Sequence, residues 1–154
     1  MMRRELIIRE LQGRLNDISI VNGYLVDVAF VFRNPDKEPS PEIMTCVNIF
    51  EMEDTTIGLS KRGASLPPVA TKNMRVVLEM WGQSASAGRI STDVSDLLNS
   101  VRKSIFNDGI TLGGVAKMVT EVETSRMFRP KTFNFIGGIG TVIEFIFIED
   151  YSNL

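Results

Sequence analysis

The chain has 154 residues, 44% of them hydrophobic and 23% charged, with a formal net charge of -2. That is about one domain, long enough to fold without a disulfide or a metal, and the near-balance of charge makes no compositional case for nucleic-acid binding. With no histidine and a single cysteine, Cys46, the chain excludes Ser-His-Asp and Cys-His catalysis, histidine metal sites and any intrachain disulfide.

The first helix is expected over Arg3 to Asn16. Ile7, Leu11 and Leu15 recur every four residues, with Leu6 and Ile8 beside them and Arg4, Glu10 and Arg14 on the other side. Arg9 and Glu10 interrupt the apolar run too early for a signal peptide. Asn22-Gly23 marks a turn, because the pair accepts positive φ. A strand is expected from Tyr24 to Arg33, with Tyr24, Val26, Val28, Phe30 and Phe32 on an apolar face and Asp27 on a mixed one. The prolines of Asn34 to Pro41 cannot donate to a ladder, so this stretch is a loop. A second strand over Ile43 to Glu51 would close a hairpin with the first.

Glu51 to Lys72 has no clear period and contains Gly58, Gly63, Pro67 and Pro68. It is expected to be a loop, and one this long is either functional or disordered. Strand alternation returns from Asn73 to Gly82, with Trp81 on the mixed face, as core or as an interface anchor. The second helix carries the stripe Val94, Leu97, Leu98, Val101, Ile105, with Ser91, Thr92 or Asp93 as its cap and Asn107-Asp108-Gly109 as its stop. Strands are expected over Val115 to Arg126, Thr132 to Ile136 and Thr141 to Asp150, with Gly137, Gly138 and Gly140 breaking the last two apart. The final strand is apolar on both faces, as a central strand is. The apolar run Phe135 to Ile148 carries Glu144 and falls short of the ~20 residues that span a bilayer, so a soluble intracellular protein is expected. The order α-β-β-β-α-β-β, with a possible further strand, predicts a single α+β domain over residues 1–154. Its sheet is largely antiparallel (mixed), with both helices packed on one face.

Reactive constellations are scarce. Gly58 to Gly63 lacks the Gly-Lys-Ser/Thr ending of a phosphate loop. Glu51, Glu53 and Asp54, and likewise Glu121 and Glu123 on one strand face, lack a metal-ligand spacing and read as solvated faces. Cys46 has no base and reads as a small packed apolar group. No catalytic, cofactor or metal residue is assigned.

Two segments and an end carry a family likeness: Ile18 to Val28 after the first helix, Asn107 to Ala116 after the second, and the alternating final strand ending in Tyr151. Together they resemble the small tail-completion proteins of tailed bacteriophages, of the tail terminator type. The resemblance covers nearly the whole chain in element order, on about twenty residues of motif. It implies a non-enzymatic virion protein, assembled in the host cytoplasm, that forms a ring, usually a hexamer, on the finished tail tube. The ring stops tube polymerisation and offers a surface to the neck or head-completion proteins, while DNA passes through its lumen unread. The implied motif positions are Gly23, Tyr24, Asp27, Asp108, Leu112, Gly113 and Gly114. Gly23 and the Gly113-Gly114 pair would serve backbone turns, Tyr24 would pack the helix-to-strand junction, and Asp27 would reach a neighbour. Lys61, Arg62, Lys72 and Trp81 are the candidates for an assembly interface. The other readings are a neck or head-closure connector, or a small ligand-binding domain.

Overall fold

The computed structural model describes residues 2–60, 68–86, 88–128 and 135–153. It is an α+β fold with elements α1 (Arg3–Asn16), β1 (Phe30–Arg33), β2 (Cys46–Ser60), β3 (Val69–Gln83), α2 (Ile90–Phe106), β4 (Met118–Thr124) and β5 (Ile136–Asp150). The five strands form one sheet in the order β1-β2-β3-β5-β4.

Strand alternation puts one apolar set under the helices. Met74, Val76, Leu78 and Met80 of β3 and Ile139, Ile143, Phe145 and Phe147 of β5 join Ile7, Ile8, Leu11 and Leu15 of α1 and the whole α2 stripe in one buried core. The first turn of α1 is closed from the sheet: the Arg3 N–H donates to both oxygens of Glu149, at 3.2 and 3.0 Å. A carboxylate there meets an orphan donor at the positive end of the helix. No side chain caps α2, which starts at Ile90 without help from Ser91 or Thr92. Asp93 in its first turn instead accepts from the Ser84 hydroxyl.

Several expectations need correction. β1 pairs β2 in parallel, Phe30 with Cys46 through Arg33 with Ile49, so the two are not a hairpin. The proline-bearing link over 34–45 is long enough to carry the chain back to the other end, and a parallel connection of about a dozen residues requires that. Ladder pairing in the first strand covers only Phe30–Arg33. The earlier alternation is nonetheless real, because Tyr24, Val26 and Val28 pack onto the core.

The 51–72 segment is largely a β-hairpin rather than a loop: β2 continues to Ser60, paired with Val69. Bulges between Glu51 and Asp54 and between Thr56 and Gly58 shift the alternation by one residue each, which erased the period from the sequence. Gly137, Gly138 and Gly140 interrupt nothing, since β5 pairs β3 without a break from Ile136 to Asp150. At Gly137 and Gly138 the reason for glycine is close approach. A Cβ on Gly137 would lie 2.9 Å from Ile90 of α2, and one on Gly138 would lie 2.5 Å from the Phe128 ring. Glu121 and Glu123 do not share a face: the β4 bulge pairs them with the adjacent residues Ile143 and Val142.

An ion-pair network ties α1 to the sheet edge. Arg33 donates to Glu5 of α1 at 3.0 and 2.9 Å and to Glu51 of β2 at 2.7 and 3.0 Å. Arg4 reaches Glu51 at 3.6 Å and Asp54 at 3.2 Å. The Arg33 guanidinium, then that of Arg9, holds the Glu5 carboxyl at about 2 against an ordinary 4.5, and Arg33 lowers Glu51 in the same way. A carboxylate depressed by folding stabilises above its unfolded value, and that contribution disappears as pH falls through the folded one. We therefore expect thermal stability to drop between about pH 4.5 and 2. Glu5→Gln should flatten part of that slope; an unchanged slope would mean that the network contributes nothing in acid.

Candidate functional site

Two of the three stretches of the family likeness, 18–28 and 107–116, lie at the C-terminal ends of the two helices, while Tyr151, at the end of the third, stands beside Lys72. Arg14, from the last turn of α1, is the centre of that junction. Its guanidinium donates to Asp108 at 2.8 Å through both terminal nitrogens, to Glu10 at 3.0 Å, and to the Ser104 and Ile105 carbonyls at 3.2 and 3.3 Å. In return the Ser104 hydroxyl donates to the Arg14 carbonyl at 3.0 Å. A cation at the end of α2 satisfies carbonyls that have no partner within the helix.

The glycines here answer to backbone sterics. Gly113 has φ +70°, and a Cβ on it would sit 3.2 Å from the Arg14 guanidinium. Leu112 is fully buried at φ 48°, a left-handed conformation that a leucine keeps only when its surroundings impose it. Gly23, at φ +90°, accepts from Lys103 at 2.9 Å, and the same ammonium lies 5.1 Å from the centre of the Tyr24 ring. Asp27 accepts the Ile20 N–H at 2.8 Å, so its carboxylate is engaged within its own chain. Arg14 itself looked like one more polar residue on the outer side of α1, and its sequence carries no signal of this role.

The opposite face of the sheet carries no helix among the described residues. Phe50, Val77, Val142 and Ile146 are half-buried there, and Met118 and Ile148 are exposed. At one end a second small cluster forms from Cys46, Trp81 and Ile136, with Phe32 and Met44 packed against it. Trp81 is buried, its indole donates to Glu79, and Phe128 stands edge-on to it at 5.0 Å and 76°. Trp81 is therefore packing within the subunit. Burial, then the Glu79 charge, pushes the Cys46 thiol up to about 12. The thiolate is the nucleophile, so the folded chain should resist alkylation at pH 8 and react once unfolded. Rapid labelling of the native protein would show that Cys46 is accessible and activated.

The 34–41 loop roofs this end and leaves two hollows. One, of about 340 Å³, is lined by Pro35, Lys37, Glu38, Phe50, Glu79, Trp81 and Phe128. The other, of about 440 Å³, has Phe32, Ile43, Pro39 and Asn48 in its walls. Asn48 is 1% exposed, and its Oδ1 has no hydrogen-bond partner among the described residues.

Of the charged candidates, Lys72 lies 3.8 Å from Asp54 and 5.8 Å from the centre of the Tyr151 ring. Lys61, Arg62 and the end of the phosphate-loop-like stretch fall outside the described residues. Glu121 accepts from Arg102 at 2.7 to 3.1 Å, and Arg102 holds its carboxyl below the usual range. Among the described residues no group of three or more His, Cys, Asp or Glu is placed to hold a metal ion. No helix among them is long and apolar enough to cross a membrane. No protein-family model matches the sequence, and no curated protein matches it.

Proposed function

We propose that this chain is a structural subunit of a tailed bacteriophage, of the tail-terminator type. It assembles as a ring, most simply a hexamer, at the head-proximal end of the tail tube. There it ends tube growth and presents a surface to neck proteins, and DNA passes through its lumen. The carrying observation is the helix-free sheet face, where Phe50, Val77, Val142, Ile146, Met118 and Ile148 surround an Arg75–Glu144 ion pair at 3.1 Å, with Thr71 and Asn73 set among them. A surface of that kind calls for a protein partner. The junction supports the same reading, because the residues that resemble the family serve to fix the helix pair.

The test is the state of the pure protein and its action on tubes. Rings seen by electron microscopy, and tubes that stop at normal length only when the protein is present, are the expected results. A chain that binds portal-side assemblies and ignores tube tips would instead be a neck connector. A chain that stays monomeric free and on tails would end the ring reading.

A further inference from the structure

We infer that the turn over residues 18–24 of one copy seats in the Asn48 groove of a second copy, joining subunits head to tail. This rests on the ring reading and names a contact within it. Two features left unfilled in the single chain carry the inference, and each supplies what the other lacks.

The first feature is a rigid apolar knob. Val21 is 94% exposed and Ile20 61%. The turn beneath them is closed by Asn22 and Tyr24 N–H groups on the Ser19 carbonyl, each at 3.1 Å, and by Gly23 N–H on Ile20 at 3.0 Å. The Asn22 amide adds a bond to the Asp17 carbonyl at 2.8 Å. Such a tip meets a partner with little left to order, which is where association loses most. The Val21 N–H takes no part in these bonds among the described residues.

The second feature is the groove of about 440 Å³. Its walls are apolar at Phe32, Pro39 and Ile43 and charged at Arg33, Asp36, Lys37 and Glu38, and the buried Asn48 Oδ1 accepts nothing among the described residues. An acceptor stripped of water and left unpaired is costly, so the groove calls for an apolar occupant that carries an N–H. A branched side chain on a turn with a free backbone N–H has that chemistry.

The chain's own turn cannot reach. It follows the end of α1, whereas Arg33 on the groove is bonded to Glu5 near the start of that helix. Twelve helical residues from Glu5 to Asp17 span about 18 Å. A contact between two different surfaces is heterologous, and it closes into a ring when its rotation permits.

The test mixes two single variants, Val21→Cys and Ser40→Cys, under mild oxidation. Intersubunit disulfides should form in the mixture and not in either variant alone, and buried Cys46 should stay out of the reaction. Val21→Asp should keep the wild-type melting point and weaken self-association at least tenfold by sedimentation. Asn48→Leu, which removes the orphan acceptor at similar volume, should melt no lower than wild type yet associate more weakly. Trp81, the only tryptophan, lines the adjoining hollow and should change its emission with concentration in wild type but not in Val21→Asp. If wild type forms rings and Val21→Asp forms them equally well, this contact is wrong and the ring stands. Self-linking of Val21→Cys alone, or an Asn48→Leu variant that associates normally, also overturns it. A wild-type chain that is monomeric at every concentration and on tails overturns both readings.

Discussion

Replacing Phe145 with alanine should cost about 3–5 kcal/mol, the range for truncating a buried phenylalanine where the surroundings cannot collapse into the space. Phe145 is fully buried. It lies between Met74 on β3 and Val119 on β4, both also in the core. Strand neighbours on both sides hold the gap open, so the lost contacts are not remade. Urea unfolding should show a lower midpoint with an unchanged slope, the mark of a pure stability change. The control lies three residues along the same strand. Ile148 is 42% exposed on the other face, and Ile148→Ala should stay within about 0.5 kcal/mol of wild type, as surface changes do. Equal losses at the two positions would mean that the helix-free face is covered within the monomer, and the argument for a partner surface would lapse with it.

That one-sidedness was only partly legible in the sequence. Residues 142–148 read as apolar on both faces, which fits a strand buried on both sides as well as one with a partner on one side. Which face receives the helices is decided by register, and pairing register is a property of the sheet. The helices were easier. Each closes its hydrogen bonds locally, so the α1 run Ile7, Leu11, Leu15 gave both ends of its helix and the α2 stripe gave the C-terminal end of its own, while α2 starts at Ile90, ahead of the expected caps. Strand extents failed where backbone geometry hid the period. Two bulges disguised the hairpin over 51–60, and the glycines of β5 read as a break because their partners, Ile90 and Phe128, are distant in sequence.

The motif positions were legible as turn formers at Gly23, Gly113 and Gly114, whose positive φ the residue type announces. Two parts of the site could not be read this way. Asn48 looks like any polar residue in a strand until its burial and its orphan oxygen are known. Arg14 acquires its meaning only when the end of α2 is placed beside it.

Arg14→Met should therefore lose about 2–3 kcal/mol, although it keeps the aliphatic stem and changes no core residue. The Arg14 side chain is only 14% exposed, which sets it apart from surface ion pairs, whose median worth is about 0–1 kcal/mol. Its removal leaves the Ser104 and Ile105 carbonyls at the end of α2 without their charged donor. Losing hydrogen bonds to a charged group costs about 1.5–3 kcal/mol. It also frees Asp108 in the loop that holds Leu112 in its left-handed conformation, so the junction should loosen beyond the local bonds. Amide exchange should then quicken over 107–116 and 18–28 together, while β3 and β5 keep their protection. Asp108→Asn keeps an acceptor near Arg14 and should cost less. Arg14, foremost among its partners, depresses the Asp108 carboxyl below its ordinary 3.8, so this part of the stability is present above that pH and fades as pH falls through the lowered value. In Asp108→Asn, which has no carboxyl to titrate, that acid-side loss should vanish, and in Arg14→Met, which removes the largest cause of the depression, it should shrink. Exchange that quickens in only one of the two segments would show that they are neighbours without being coupled, and the junction would not be the unit described here.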